Sequence, residues 1–299
     1  MKLEFSAEVQ RAKKGGRPLV ALETSVLAQG LPFPRNLEAA ARCEAAVREA
    51  GATPAAIAVI DGRIHVGLDE AQTKALARGK GLLKLGSRDL AVAVAQGRTG
   101  GTTVSATCEL AARAGIFVFA TGGLGGVHRG VAEDLDISQD LPAIARWPVA
   151  VVCAGAKSVL DLPKTLELLE TLAVPVIGLG TNELPGFYSR ETGLPLEHRV
   201  DDADAAAAVL KARLALGEGG LVFTVPPPAK TALPRAEIER HLKAALALAK
   251  KRGISGKAAT PFLLSEMVRR TKGRTLEANL ALLENNARFA GRLAVAAGR

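Results

Sequence analysis

The chain has 299 residues, enough to bury the core of one large α/β domain or two ordinary ones, so it is not a small scaffold that needs staples to fold. Hydrophobic residues make up 48% of it but aromatic residues only 3%, which leaves a core of Ala, Val, Leu and Ile and few rings on which nucleic-acid bases could stack. The formal charge of +9 suits an anionic partner, yet the basic residues are spread along expected helices, and the tight clusters RAKKGGR and KKRGISGK read as solvated surface.

The opening MKLEFSAEVQ carries charges where a secretory leader needs an apolar block. No apolar run approaches the ~20 residues of a membrane span, so a cytoplasmic protein with no membrane partner is expected. After this polar lead, PLVALET reads as a buried strand, and NLEAAARCEAAVREAG as a helix with Asn36 as its N-cap and Gly51 as its stop. Next, AAIAVIDGRIHVGL holds two apolar runs joined by Asp61-Gly62, the pair a type I′ hairpin prefers. TTVSATCELAARAG follows as a helix, IFVFAT as a strand, QDLPAIAR as a short helix and PVAVVCAG as a strand. DLPKTLELLETLA is then a helix capped by Asp161 with Pro163 in its first turn, and VPVIGLGT is again a strand. Beyond LVFTVPPP the pattern is helical near 234–252, 261–271 and 276–297.

Short apolar runs alternating with amphipathic helices predict an α/β fold: a mostly parallel central sheet with helices on both faces, a small hairpin element and a helical C-terminal part. No repeat or linker breaks the chain, so residues 1–299 are expected to form a single domain. Cys43, Cys108 and Cys153 are odd in number and lack CxxC spacing, which fits reduced core thiols.

In such sheets ligands sit beyond the carboxyl ends of the strands, and several polar clusters fall there. Lys157 follows the strand PVAVVCAG among small apolar residues. Partial withdrawal from water favours the neutral amine, a nucleophile able to form an imine with a sugar aldehyde; the alternative is a solvated loop lysine. Glu23 holds the matching place after PLVAL, as a general acid or base or as a turn acceptor. The loop ATGGLGGVHRG could bring backbone amides, His128 and Arg129 to a phosphate, and GRTGGTT is a second such loop; plain turns are the alternative for either. Neither is a dinucleotide fingerprint, because the position for the third glycine holds His128, and no GxxxxGK[ST] loop occurs. EDLDISQD places Asp134, Asp136, Ser138 and Asp140 at alternate positions, hard donors suited to Mg²⁺ or Mn²⁺. An EF-hand is excluded, since Ala145 stands where its closing Glu belongs. The remaining readings are a water-rich site held by one or two carboxylates, or a helix start capped by Ser138. Together these parts describe an enzyme acting on a sugar phosphate through an imine.

The segments ALETSVLAQGLPFPRN, GTTVSAT, ATGGLGGVHRG, DISQDL, PVAVVCAGAKSVLDLPKTLE, GFYSR, TPFLL and LEANLALLENNAR, in this order over nearly the whole chain, resemble the pseudouridine-5′-phosphate glycosidase family, also called pseudouridylate synthases. The resemblance implies reversible cleavage of the C–C glycosidic bond of pseudouridine 5′-phosphate to uracil and ribose 5-phosphate, one Mn²⁺ per subunit (with Mg²⁺ or another divalent ion as the alternative), and a homotrimer. It assigns the nucleophile to Lys157 and the catalytic acid to Glu23. Substrate binding falls on Lys84, Val104, Ser138, Gln139 and Asp140, and on Asn279 with Asn285 and Asn286 as near alternatives. The metal carboxylate is Asp136. A C–C glycosidic bond offers no heteroatom leaving group to protonate, and an imine supplies the missing handle. Two departures stand out: Thr24 and Ser25 are exchanged relative to the usual order, and Gln29 replaces a customary His, which removes a titratable group. No kinase segment is appended, so phosphorylation of free pseudouridine is expected from another protein. The rivals are a related C-glycosynthase joining ribose 5-phosphate to a different acceptor and, more distantly, a non-enzymatic RNA-binding protein. The low aromatic content and dispersed charge argue against nucleic acid.

Overall fold

The computed structural model describes residues 2–254 and 259–298. Its strands are β1 Leu3–Phe5, β2 Leu19–Leu22, β3 Thr53–Ile60, β4 Arg63–Val66, β5 Leu83–Leu85, β6 Gly100–Thr102, β7 Val118–Ala120, β8 Ala150–Cys153, β9 Val176–Leu179, β10 His198–Val200 and β11 Leu221–Thr224. They bond in the order β1-β4-β3-β2-β7-β8-β11-β9-β10, with β6 on β3 and β5 on β6 as a branch. Every pairing is parallel except β3 with β4 and β3 with β6. The mostly parallel sheet with surrounding helices is therefore the one expected. The antiparallel exception is the expected hairpin: Asp61 and Gly62 both take positive φ, 48° and 74°, and bring Ile60 opposite Arg63.

The strand order positions the site. From β2 the chain moves to β3 on one side of the sheet; β7 returns beside β2, and β8 continues on the other side. The loops after β2 and β7 thus diverge, leaving a crevice at their carboxyl ends. Helix Arg274–Ala297 packs across β2, β7 and β8 and against helix Arg35–Glu49, while helix Val104–Ala114 packs on β2, β3, β6 and β7. Its aliphatic core runs continuously from Val9 to Ala296, and Phe223 of β11 meets Phe289 edge-on at 6.3 Å to pin the last helix.

Some expectations shift. Asn36 is not an N-cap: Pro34 takes that position, and the Asn36 amide, 2% exposed, donates to Leu27 O at 2.7 Å and Ala77 O at 2.9 Å. Ser138 caps less directly than expected. Helix Asp140–Arg146 starts after Gln139, with Ser138 Oγ accepting from Asp140 N–H at 3.2 Å. Within GRTGGTT, Gly100–Thr102 are strand. A Cβ on Gly101 would lie 2.5 Å from Thr24 O, and this close approach accounts for glycine there. The polar lead contains helix Ala7–Lys14, and helices Glu70–Arg78, Ser87–Ala95 and Ala203–Ala215 and a π-helical turn Val26–Gly30 were not anticipated. The cluster KKRGISGK lies partly outside the described residues.

Candidate active site

Glu23 leaves the end of β2 half-buried, and both carboxylate oxygens are held. Thr121 Oγ1 donates to Oε1 and Ser25 Oγ to Oε2. Thr121 follows β7 directly, and its own N–H is fixed on Val152 O at 3.0 Å. Two residues later, Gly123 O accepts from Lys157 Nζ at 2.7 Å. Successive Cα atoms are about 3.8 Å apart, so one short stretch, Thr121–Gly123, grips the carboxylate at one end and the amine at the other. Lys157 sits in the loop between β8 and helix Leu162–Thr171, as expected. Its neighbours Ala156 and Ser158 are 3% and 5% exposed, and its N–H donates to Leu124 O at 3.0 Å.

Asp140, 6% exposed, spans the loop and a helix start: Oδ1 accepts from Ser105 N–H at 3.0 Å and Oδ2 from Gly125 N–H at 2.8 Å. Ser138 N–H donates to Gly126 O, and Gln139 Oε1 lies against the Gly86–Arg88 turn just after Lys84. Lys84 is exposed on β5, in register with Gly101. Val104 opens helix Val104–Ala114 with its side chain 1% exposed, so any ligand contact there runs through its backbone. Asn279 is half-buried, its Oδ1 3.5 Å from where a Cβ on Gly122 would stand. Asn285 turns instead to Pro226 O, and Asn286, wholly buried, donates to Thr121 O at 2.8 Å and Gly122 O at 3.3 Å. Asn279 and Asn286 thus both lie against the Thr121–Gly123 stretch.

Asp140 is committed to backbone amides, the Asp134 side chain lies outside the described residues, and Asp136 Oδ2 sits 3.7 Å from His128 Nδ1. No group of three or more His, Cys, Asp or Glu among the described residues could hold a metal. This donor set fits a divalent ion carried by one carboxylate with waters or ligand oxygens completing its shell.

Beside Glu23 a narrow cleft opens between β2, the π-helical turn and helix Arg35–Glu49, lined by Val26, Leu27, Ala39, Ala40, Cys43 and Leu283 among others. Burial pushes the thiols of Cys43 and Cys153 up to about 12 and that of Cys108 well above its ordinary value, so these cysteines are neutral packing groups around the site.

Residues 8–296 match the family model described as indigoidine synthase A like protein. A pseudouridine-5′-phosphate glycosidase of Myxococcus xanthus is 67% identical over 301 residues, covering 100% of this chain and 99% of the relative. The chain belongs to the pseudouridine-5′-phosphate glycosidase family. The Herpetosiphon aurantiacus member is 53% identical, covering 99% of this chain and 98% of its own. Among solved structures, the prealnumycin C-glycosynthase AlnA in complex with ribulose 5-phosphate superposes with a TM-score of 0.92 at 39% identity, covering 99% of this chain and 97% of that one. An indigoidine synthase A-like protein of Thermotoga maritima gives 0.90 at 38%, with the same coverage.

Within this glycosidase-family framework the two sequence departures acquire a physical reading. Both exchanged positions use a hydroxyl: Thr24 Oγ1 donates to Ile57 O at 2.6 Å and accepts from Thr102 N–H at 3.0 Å, while Ser25 donates to Glu23. Either residue type supplies those bonds. Gln29 is exposed and donates to Leu82 O, tying the π-helical turn to the start of β5. Sequence reasoning missed Thr121; it named Ser25 as an exchanged position and Asn286 as an alternative substrate contact, but not their bonds to Glu23 and to the Thr121 and Gly122 carbonyls. The adjacent asparagines of helix Arg274–Ala297, Asn286 among its apolar buried positions, were the available signal for Asn286.

Proposed function

We propose that this protein cleaves pseudouridine 5′-phosphate reversibly to uracil and ribose 5-phosphate, with Lys157 as the imine-forming nucleophile and Glu23 as the acid. The observation that carries this reading is the Thr121–Gly123 stretch, which holds the Glu23 carboxylate and the Lys157 amine on one three-residue frame. In the cleavage direction Glu23 delivers a proton to the ribose ring oxygen while the neutral Lys157 amine bonds to C1′ and the C1′–O4′ bond breaks, and the Glu23 carboxylate takes back the proton that the attacking nitrogen sheds. The nitrogen lone pair then forms C=N as the C1′–C5 bond breaks, and the electron pair left on the uracil ring carbon takes up a proton. Water adds to the imine and releases ribose 5-phosphate and the free amine. Lys84, Val104, Ser138, Gln139, Asp140 and Asn279 are assigned to substrate binding. Asp140 ties the Gly-rich loop, through Gly125 N–H, to the start of helix Val104–Ala114, through Ser105 N–H.

One divalent ion per subunit, Mn²⁺ with Mg²⁺ or another ion as the alternative, would be held by Asp136 and waters and would orient substrate oxygens. The enzyme is proposed to act as a homotrimer in the cytoplasm. Three free, buried cysteines and the absence, among the described residues, of a helix long and apolar enough to cross a membrane support that location. The structural likeness to a C-glycosynthase favours one second reading, the same imine chemistry with a different acceptor.

The test is incubation of the purified protein with pseudouridine 5′-phosphate and Mn²⁺, with and without chelator, with uracil and ribose 5-phosphate read by mass spectrometry. Release of both products, lost with chelator and weakened at least tenfold in Asp136→Asn, is expected. Folded protein releasing neither would transfer the assignment to the C-glycosynthase reading.

A further inference from the structure

The GFYSR segment, residues 186–190, has no part in the mechanism above, yet it holds a strained residue against the site. Phe187 takes φ +66° while 2% exposed. Of the five non-glycine residues at positive φ among the described residues, the other four, Asp61, Leu135, Ala173 and Lys272, are exposed. A buried aromatic residue in this region persists only where its surroundings over-determine it.

Those surroundings are the nucleophile's own loop. Phe187 N–H donates to Ala154 O at 3.0 Å, three residues before Lys157, and the ring is braced edge-on by Tyr188 at 4.7 Å. Gly155 takes φ +85° with its α-carbon against the Pro185 carbonyl. The Phe187 ring rests on the α-carbon of Gly123, where a Cβ would lie 2.6 Å from Cδ2, and it is the Gly123 carbonyl that accepts from Lys157 Nζ at 2.7 Å.

We propose that Phe187 is a positioning residue for Lys157: its strained backbone delivers the ring onto Gly123, and that contact sets the carbonyl on which the amine rests. The inference rests on Lys157 being the imine-forming lysine. A residue serving only the core would lower the melting temperature when replaced and leave the folded enzyme's turnover intact.

The experiment compares Phe187→Leu and Phe187→Tyr with the wild type in the Mn²⁺-loaded full chain. It measures kcat and KM for pseudouridine 5′-phosphate, and separately the rate at which borohydride traps ribose 5-phosphate on Lys157. Phe187→Leu is expected to lower kcat about tenfold to a hundredfold with KM within about threefold, and to slow trapping in parallel, as displacement of a reacting group does. Phe187→Tyr, which keeps the ring, restores most of both. A folded Leu variant with wild-type kcat and trapping overturns the proposal. If Leu does not fold, Phe187→Met is read by the same criteria. Wild-type protein that traps ribose 5-phosphate on Lys157 but releases no uracil removes the proposed reaction and leaves this inference to the trapping rates.

Discussion

At the scale of single residues, two groups are held by hydrogen bonds: hydroxyls donate to the Glu23 carboxyl, and the Lys157 amine donates to the Gly123 carbonyl. The Thr121 hydroxyl donates to Glu23, an orienting contact on the proposed acid, and misplacing a reacting group by about 1 Å can cost about a hundredfold in rate. Thr121→Val removes that donor while keeping the shape of the side chain. It is expected to lower kcat about tenfold to a hundredfold, with little change in melting temperature, when turnover and thermal unfolding are measured on the same preparation. Unaltered kcat would mean that Ser25 alone orients the acid. The sequence marks Glu23 and Lys157 as candidates because each follows an apolar strand. It does not show the bonds of Thr121 and Asn286, because their partners lie 98 and 165 residues away along the chain, and no local pattern encodes such pairs.

Elements show where local signals suffice. The Asp61-Gly62 hairpin and the Asp161 cap, whose carboxylate accepts from Lys164 N–H at 3.2 Å, are set by the chemistry of two to four neighbouring residues, and both form as read. Helix Ala203–Ala215 escaped because a run of alanines carries no apolar periodicity, and Asn36 was misplaced because the helix began at Arg35 and tertiary carbonyls claimed its amide. The Lys157 loop depends on a comparable local feature reinforced from afar. At Gly155, φ +85° and the abutting Pro185 carbonyl both exclude a side chain. Gly155→Ala should therefore cost more than about 2 kcal/mol in urea unfolding, whereas Gly217→Ala, at φ +69° with nothing within 4 Å, should cost only about 1 kcal/mol of backbone strain. Equal losses would show that the packing of the Pro185 corner on this loop contributes nothing.

Over the whole molecule, the basic excess is dispersed rather than gathered into a footprint. Many arginines are paired, as in Arg48 with Glu8 and Glu44, Arg274 with Glu237 and Arg288 with Glu49 and Glu284. Buried acids with raised pKa values make the fold lose stability as pH rises. Cys43 and Cys153, at about 12, and Cys108 and Tyr188, also raised by burial, are neutral in the fold. Their contribution is whole below the unfolded thiol pKa, about 8.5, and is lost as pH rises toward 12, because the unfolded chain gives up protons that the folded chain retains. Urea midpoints should fall steadily from about pH 8.5 upward. Iodoacetamide at pH 8 should leave all three thiols unmodified until urea is added. Rapid native labelling of Cys43 would contradict its burial. The assembly is checked by light scattering, where a homotrimer gives three times the 31.0 kDa chain mass.

The central claim is that one lysine, held by Gly123, forms the covalent bond to the sugar. Its most direct test is borohydride reduction of the protein in the presence of ribose 5-phosphate, followed by peptide mass mapping. The account predicts a reduced pentose phosphate adduct on Lys157 alone, absent in Lys157→Ala. An adduct on Lys84 or any other lysine, or none on folded protein, would contradict it.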